Sequence, residues 1–329
     1  MSSTSRREFL ATAAASTLLF PAAKAAETGN KKLEGIFAIP QTPFTDSGAF
    51  DSETLVNEID FLHRAGVQGI TWPVNASEWS QLTFDERLAG AEAIMRANRK
   101  ADTAKRPSVV IAVQANDIET AVKVARHADK TGADAILAIP FNSGVKTTDA
   151  QQMEYYSAIG AASAKPLFVQ AIGEISVDLV LRMAKKIPTL RYVKDEAGNT
   201  TARLIEYRKR EQLLTGVFTG KHGPNFLDDL SRGAVGNMPA AGIADLYVAA
   251  WQAWKASKPD VAQDMFGKTL LMAMHAQNYA VAGQKYMLQL RGVFKNSVCR
   301  REGGPQIFDA DAKKSIEVSM GYVKPWLRA

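Results

Sequence analysis

The residue with the clearest chemical potential in this sequence is Lys194, in the run Val193-Lys194-Asp195-Glu196. It ends a short stretch, Arg191–Lys194, that predicts a strand. Partial burial there favours the neutral form of the lysine amine. A neutral amine attacks a ketone and forms a Schiff base, which then acts as an electron sink for the bonds at the neighbouring carbons. The pattern therefore allows covalent chemistry on a ketone, with an ordinary solvated lysine as the alternative, since most lysines are surface groups.

Several other polar side chains follow predicted strands. They are Thr42, Asn75, Glu78, Gln114, Asn142, Gln170 and Lys221, together with the apolar Met238. Amide and hydroxyl groups in such places can bind a substrate, or they can satisfy buried backbone groups instead.

An alternation of short apolar runs and longer amphipathic runs must position these residues. The runs typical of strands are Gly35–Pro40, Val67–Trp72, Ser108–Val113, Ala133–Ile139, Pro166–Gln170, Arg191–Lys194, Leu213–Phe218 and Ala234–Met238. The runs typical of helices cover 51–65, 83–99, 117–131, 148–163, 176–187, 199–210, 224–232 and 242–257. Eight such units predict a (β/α)8 barrel over 33–257, since the phosphate-binding glycines of a doubly wound sheet are missing after the first strand. Residues 258–329 are predicted to add a C-terminal helical extension, with helical runs at 259–295 and 310–325.

Capping residues support these helices. Asp51, Thr83, Asp117 and Ser176 precede helical runs, while Gly66 and Gly132 fall just past helix ends. In a (β/α)8 barrel the chemistry lies at the C-terminal ends of the strands, on the loops that lead into the helices. The polar residues named above are therefore expected to meet at one mouth of the barrel.

Composition excludes several classes of protein and of site. The 329 residues are 46% hydrophobic and 22% charged, within the ordinary globular range. A single cysteine, Cys299, forbids an intrachain disulfide and a cysteine-cluster metal site. The four histidines include no pair at i, i+4, so no metal site of the H-E-x-x-H type is predicted. The formal net charge of +6 is mild for this length, and nucleic-acid binding is not expected.

The N-terminus is typical of an export signal. Residues 1–26 combine the pair Arg6-Arg7, an apolar run at Leu10–Phe20 and a small-residue stretch suited to cleavage. The paired arginines resemble a twin-arginine signal. The apolar run is too short to span a bilayer, which needs about 20 residues. Residues 27–32 are interpreted as a linker, and the mature protein is expected outside the cytoplasm and without a membrane anchor.

Four short motifs in one order resemble the pyruvate-dependent class I aldolase family of dihydrodipicolinate synthase and N-acetylneuraminate lyase, over about 33–320. The motifs are Thr42-Pro43-Phe44 with Asp46 and Gly48; Leu82-Thr83 with Glu86-Arg87; Gly132-Ala133-Asp134 leading into Ile139-Pro140; and Val193-Lys194-Asp195-Glu196 with Gly198-Asn199. The resemblance implies a (β/α)8 barrel, Lys194 as the Schiff-base residue and no metal or organic cofactor. It also implies a small-molecule 2-keto acid as substrate and a homo-oligomer, either a dimer or a tetramer.

Several positions differ from the pattern of the synthases, and these differences bear on which reaction is expected. The family's Gly-Thr-Thr-Gly-Glu stretch reads Val74-Asn75-Ala76-Ser77-Glu78 here, and its strand-five tyrosine is Gln170. The family's carboxylate-binding arginine is Ile175, and its paired tyrosines after strand four are Phe141-Asn142. Glutamine cannot shuttle protons as a phenol can. We therefore do not expect this chain to make dihydrodipicolinate.

The substitutions resemble the subgroup that contains L-2-keto-3-deoxyarabonate dehydratase. The shared features are the Asn-x-Ser-Glu stretch at 75–78, Val169-Gln170, and Gly236-Asn237-Met238-Pro239. This resemblance implies a hydro-lyase that expels water from a 2-keto-3-deoxy sugar acid. A synthase-like or N-acetylneuraminate lyase-like aldolase is the alternative enzyme. An exported keto-acid-binding protein that has lost turnover is the alternative of another class.

The resemblance assigns roles to eight residues. Lys194 and Gln170 are predicted to be catalytic, and Thr42, Asn75, Ser77, Glu78, Asn237 and Met238 are predicted to contact substrate. Asn75 and Ser77 would donate hydrogen bonds to the substrate carboxylate, with simple turn closure as the alternative. Glu78 is expected to order its loop in preference to contacting substrate, and Thr42 is expected to buttress Lys194 or the neighbouring loop. Gln170 has the role of a buried polar plug as its alternative.

Overall fold

Eight short parallel strands close into a barrel in the computed structural model, which describes residues 32–142, 144–301 and 308–329. The strands are β1 (Gly35–Ala38), β2 (Gly69–Trp72), β3 (Ser108–Ala112), β4 (Ala135–Ala138), β5 (Leu167–Ala171), β6 (Leu190–Asp195), β7 (Gly216–Thr219) and β8 (Gly236–Asn237). Each strand pairs with the next along the chain, and β8 returns to β1 through the pair Ile36 and Asn237. The predicted (β/α)8 fold is confirmed.

Helices alternate with the strands and then continue beyond the barrel. They are α1 (Ser52–Ala65), α2 (Phe84–Asn98), α3 (Ile118–Thr131), α4 (Asp149–Ala162), α5 (Val177–Lys186), α6 (Thr200–Arg208), α7 (Phe226–Ser231), α8 (Ala244–Lys255), α9 (Pro259–Asn278), α10 (Ala280–Leu290) and α11 (Ala310–Val323). The predicted caps form, and Thr83 makes a full capping box with Glu86.

Two predicted boundaries differ from the structure by more than two residues. The seventh strand begins at Gly216 rather than Leu213, because Leu213 ends a short 3₁₀ turn, Glu211–Leu213. The predicted helical run 259–295 is two helices, since α9 closes on Tyr279 and α10 begins at Ala280 in a left-handed conformation.

Side chains that point into the barrel form a small aromatic core beneath the C-terminal mouth. Phe168 stacks on Tyr192 at a ring-centroid distance of 4.6 Å, and Phe218 packs edge-on against Phe37 at 4.8 Å. Because side chains alternate along a strand, Lys194 points the same way as Tyr192 and lies one step nearer the mouth. The apolar layer therefore forms a floor under the lysine.

The last helices are tied back to the barrel by buried charge pairs. Arg291 at the end of α10 makes two hydrogen bonds to the Asp245 carboxylate of α8, at 2.9 and 2.8 Å. Both side chains are almost fully buried, where a bidentate arginine–carboxylate pair fixes orientation well. This contact fixes the C-terminal end of α10 against α8.

The predicted signal, residues 1–26, lies outside the described residues, as does the predicted linker apart from Lys32. In the part of the chain that is described, no helix is both long and apolar enough to cross a membrane.

Candidate active site

Lys194 and Glu196 lie side by side at the end of β6. The Lys194 side chain is only 2% exposed, and its Nζ lies 3.2 Å from Oε1 of Glu196. The residue between them, Asp195, points outward and binds Nε of Arg203 with both oxygens, at 3.0 and 2.9 Å. This outward pair anchors the strand end, so the amine and the carboxylate are held on the inner face.

Besides its contact with Lys194, the Glu196 carboxylate accepts hydrogen bonds from two groups. Gln170 Nε2, from the neighbouring strand β5, donates to Oε2 at 2.5 Å, and the Lys221 N–H donates to Oε1 at 2.9 Å. Gly220 allows this close approach, because a Cβ there would lie 2.1 Å from Oε1. Burial alone would raise the pKa of the Glu196 carboxyl, but the Lys194 ammonium and these hydrogen bonds bring it below its usual value.

A cavity of about 450 Å³ opens onto this pair. Its wall is formed by Ile39, Val74, Asn75, Ala76, Gln170, Ile172, Gly173, Lys194, Glu196, Ala197, Gly198, Lys221, His222, Met238 and Ala240. Among the described residues, the titratable side chains in that wall are Lys194, Glu196, Lys221 and His222. The cavity is large enough for a small sugar acid, and it presents one amine and one carboxylate at its inner end.

His222 enters the cavity wall from the loop after β7. Burial lowers the pKa of the ring to about 4, and the opposing charges of Glu196 and Lys194 act on it from the neighbouring strand. Its Nε2 lies 3.4 Å from Nε2 of Gln284 on α10. The imidazole is therefore neutral at physiological pH.

The dihydrodipicolinate synthetase family matches residues 32–318, which is nearly the whole described chain. The chain belongs to this family. The family resemblance expected from the four motifs is thus confirmed.

Proteins similar in sequence to this chain include a dehydratase and a probable aldolase. L-2-keto-3-deoxyarabonate dehydratase from Azospirillum brasilense is 27% identical over 277 residues, covering 82% of this chain and 84% of that protein. A protein described as a probable 2-dehydro-3-deoxy-D-pentonate aldolase from Escherichia coli is 26% identical over 302 residues, covering 88% and 96%. A 4-hydroxy-tetrahydrodipicolinate synthase from Rhizobium meliloti is 28% identical over 163 residues, covering 48% and 53%.

Solved structures agree on the fold. Dihydrodipicolinate synthase from Rhodopseudomonas palustris superposes with a TM-score of 0.78 at 22% identity, covering 88% of this chain and 97% of that one. Sialic acid aldolase from Ruminococcus gnavus gives a TM-score of 0.78 at 20% identity, covering 90% and 100%.

Four of the eight residues predicted to be catalytic or to contact substrate line the cavity. These are Lys194, Gln170, Asn75 and Met238. Gln170 also uses its Nε2 to hold Glu196, while its buried Oε1 has no hydrogen-bond partner among the described residues. Asn75 accepts a hydrogen bond from Trp79 Nε1 through Oδ1, at 3.0 Å.

Thr42 and Ser77, predicted as substrate contacts, are placed in a scaffold behind the cavity wall. The Thr42 hydroxyl donates to the Ser77 carbonyl at 2.6 Å and accepts from Trp72 Nε1 at 3.1 Å. The Ser77 hydroxyl donates to the Pro40 carbonyl at 2.6 Å. Because both hydroxyl protons are used on backbone oxygens, these residues lock the first two loops together rather than face a ligand.

Asn237 also lies outside the wall. Its Nδ2 donates to the Thr219 carbonyl at 2.9 Å and approaches the Thr219 hydroxyl at 3.0 Å, which joins β8 to β7. Its neighbour Met238 reaches the wall instead, since alternate residues of a strand point to opposite faces.

Glu78, the remaining predicted contact, turns away from the cavity. Its Oε2 lies 2.5 Å from Nζ of Lys285 on α10, and neither side chain is exposed to solvent. Its Oε1 accepts from the backbone N–H groups of Arg300 and Arg301, both at 2.8 Å. Glu78 therefore orders the loop after β2 and binds the backbone at Arg300 and Arg301, which agrees with the loop-ordering role expected for it.

Sequence analysis did not assign functions to Glu196, Gln284 or Lys285. The first could have been found, because Lys194 and Glu196 are two residues apart on a strand and must share a face. The other two lie on α10, where Gln284 is 62 residues from His222 and Lys285 is 207 residues from Glu78, and no local pattern signals such contacts.

In the described part of the chain, no group of three or more histidine, cysteine, aspartate or glutamate side chains is arranged to hold a metal ion.

Proposed function

We propose that this chain is a Schiff-base lyase that dehydrates a 2-keto-3-deoxy sugar acid. One observation carries the proposal: a buried lysine amine lies 3.2 Å from a buried carboxylate at the inner end of a cavity of about 450 Å³. The amine supplies the nucleophile, and the carboxylate supplies a proton acceptor within reach of it.

Covalent attachment begins when Glu196 accepts a proton from the Lys194 ammonium. The freed amine adds to the C2 ketone of the substrate. The carbinolamine hydroxyl then takes that proton back from Glu196 and leaves as water, which gives a protonated imine and restores the Glu196 carboxylate. The imine nitrogen then carries the positive charge that the lysine carried before. Lys194 keeps its place opposite Glu196 throughout, so the new cation is stabilised by the same carboxylate.

Elimination follows from the acidity of C3 next to the imine. The Glu196 carboxylate takes a proton from C3, and the electron pair moves to the nitrogen to form an enamine. The enamine returns that pair, the C4–oxygen bond breaks, and the C4 hydroxyl leaves as water with the proton that Glu196 had taken. Hydrolysis of the imine then releases the product and restores Lys194. One carboxyl thus serves both proton transfers.

Glu196 is the base of this proposal because the other titratable side chains in the described wall fit the role poorly. His222 Nε2 faces Gln284 at 3.4 Å rather than Lys194, and lysine side chains donate hydrogen bonds but do not accept them. Gln170 keeps Glu196 in place and has an unpartnered oxygen for a substrate hydroxyl or a water. Asn75 and the cation of Lys221 at the cavity wall are the proposed partners of the substrate carboxylate.

Dehydration is favoured over carbon–carbon cleavage by the similarity to the Azospirillum dehydratase and by Gln170 at the position of the family's tyrosine. Aldol cleavage is the second candidate, supported by the similarity to the Escherichia coli aldolase. Both reactions pass through the same Lys194 imine, so the products distinguish them.

Incubation of the purified protein with 2-keto-3-deoxy-L-arabonate and with its D isomer tests the proposal. Loss of one water from either substrate, without formation of pyruvate, is the expected result. Release of pyruvate would establish the aldolase instead. No turnover of either compound by a folded protein would overturn both candidates.

A further inference from the structure

Three consecutive residues after β7 adopt left-handed backbone conformations. Lys221, His222 and Gly223 have φ of 50°, 56° and 48°. Such values are unfavourable for residues other than glycine and persist only where the surroundings fix them. Here the Lys221 N–H is bound by Glu196, and the Tyr247 hydroxyl donates to the His222 carbonyl. The loop is thus held in a strained form that places the His222 ring in the cavity wall.

Gln284 determines which ring nitrogen of His222 carries the proton. Its Nε2 lies 3.1 Å from the Ala276 carbonyl, which can only accept, so this end of the amide is the nitrogen. The same Nε2 lies 3.4 Å from His222 Nε2 and has a second hydrogen to donate. In a neutral imidazole that accepts at Nε2, the proton sits on Nδ1.

The Nδ1 atom of His222 is buried and has no hydrogen-bond partner among the described residues. A buried donor without a partner is unfavourable, and a bound ligand that supplies an acceptor would satisfy it. The ring is faced by the Glu196 carboxylate and the Lys194 ammonium, whose effects on it have opposite signs. A second carboxylate placed there would be repelled by Glu196, whereas a neutral oxygen would not.

We infer that His222 binds a hydroxyl oxygen of the substrate beyond C3 through a neutral Nδ1–H, and that Gln284 is the positioning residue that fixes this tautomer. The inference rests on the proposed function, because it needs a hydroxylated keto acid in the cavity. It also gives the C-terminal extension a part in substrate selection, since Gln284 belongs to α10.

Substitutions at both positions test the inference. His222→Leu removes the donor, whereas His222→Asn keeps an amide donor near the position of Nδ1 and tolerates the left-handed backbone. Gln284→Glu replaces the donor to Nε2 by an acceptor and so moves the ring proton from Nδ1 to Nε2. We expect kcat/KM for the hydroxylated substrate to fall about 10²–10³-fold in His222→Leu and Gln284→Glu, and much less in His222→Asn.

Borohydride trapping of pyruvate on Lys194 separates substrate binding from a structural role. Pyruvate has no hydroxyl, so the rate of trapping should fall far less than turnover of the hydroxylated substrate in His222→Leu and Gln284→Glu. ¹⁵N NMR of the imidazole rings should show His222 as the Nδ1–H tautomer in the wild type and as the Nε2–H tautomer in Gln284→Glu. His127→Asn is the matched control, because its Nδ1 is also buried without a partner but lies on α3 outside the cavity wall.

Two outcomes overturn the inference. An equal loss of pyruvate trapping and of turnover would show that His222 only supports the loop, and an Nε2–H tautomer in the wild type would remove the donor. A wild-type protein that traps no keto acid would instead overturn the proposed function, while the tautomer measurement would remain valid.

Discussion

Glu196 Oε1 lies 3.2 Å from Nζ of Lys194. Glu196 directly follows β6, and its N–H still pairs with the Ala171 carbonyl of β5 at 2.8 Å, so the two side chains share one face. The other oxygen of Glu196 accepts from Gln170 Nε2 at 2.5 Å. The three residues form a connected group in which a nucleophile, a proton acceptor and a fixed amide have defined neighbours. This relationship makes the substitution Glu196→Gln the most informative test of the proton-transfer steps.

Glu196→Gln should lower kcat about 10²–10⁴-fold, since it removes the acid–base group but keeps the shape of the side chain. In the wild type kcat/KM should fall only below about pH 4.5, because the pKa of Glu196 lies below its usual value. This fall at low pH, the acid limb of the profile, should be absent from the variant. Steady-state rates across pH measure both effects. Glu119→Gln, at a largely exposed position on α3, should change neither. An unaltered acid limb in Glu196→Gln would assign the limb to another group.

Gln170→Glu should move the acid limb of kcat/KM upward by at least about one pH unit. The new carboxyl would lie against Glu196, and two carboxylates in one site cannot both ionise easily, so one pKa rises. The pH profile of turnover measures the shift. Gln263→Glu on the exposed face of α9 is the control. A profile identical to that of the wild type would show that Gln170 is not in contact with the essential carboxylate.

Lys285→Met should lower the free energy of unfolding by about 3–5 kcal/mol, because it leaves the buried Glu78 carboxylate without its partner. Denaturant unfolding measures this loss. The double variant Glu78→Gln, Lys285→Met should be more stable than the sum of the two single changes predicts, since it removes both charges together. Additive losses would contradict a direct ion pair between the two residues.

Asp229, buried on α7 beside the Thr201 hydroxyl, should make stability depend on pH. Burial raises its pKa from 3.8 to about 6, so the folded state holds the proton more tightly than the unfolded state. The contribution of this protonated carboxyl to the free energy of unfolding is complete below about pH 4 and is lost as the pH rises through 6. Asp229→Asn should therefore unfold at the same temperature as the wild type near pH 4 and at a higher one near pH 7. The exposed Asp260→Asn should show no such difference, and a constant offset at every pH in Asp229→Asn would contradict the shifted pKa.

The barrel could be predicted from sequence because its signals are local. Strand-sized apolar runs, the caps at Asp51 and Thr83, and the glycines after α1 and α3 each act within a few residues. Errors at Leu213 and in 259–295 arose where a short turn or a single left-handed residue interrupts a continuous apolar pattern.

The site was only partly predictable because hydroxyl and carboxyl groups have more than one possible partner. The positions of Lys194, Asn75 and Gln170 after predicted strands were enough to place all three in the cavity wall. Similar positions are held by Thr42, Ser77 and Glu78. The two hydroxyls donate hydrogen bonds to backbone carbonyls, and the carboxylate binds Lys285, which lies 207 residues away in the chain. Contacts of this separation depend on how the C-terminal extension packs, and the sequence carries no local sign of it.

Borohydride reduction in the presence of 2-keto-3-deoxy-L-arabonate, followed by intact mass and peptide mapping, tests the central claim most directly. We expect one adduct on Lys194, lighter by one water than the reduced adduct of the intact substrate, and no adduct in Lys194→Met. An adduct on any other lysine, or none at all on a folded protein, would contradict it.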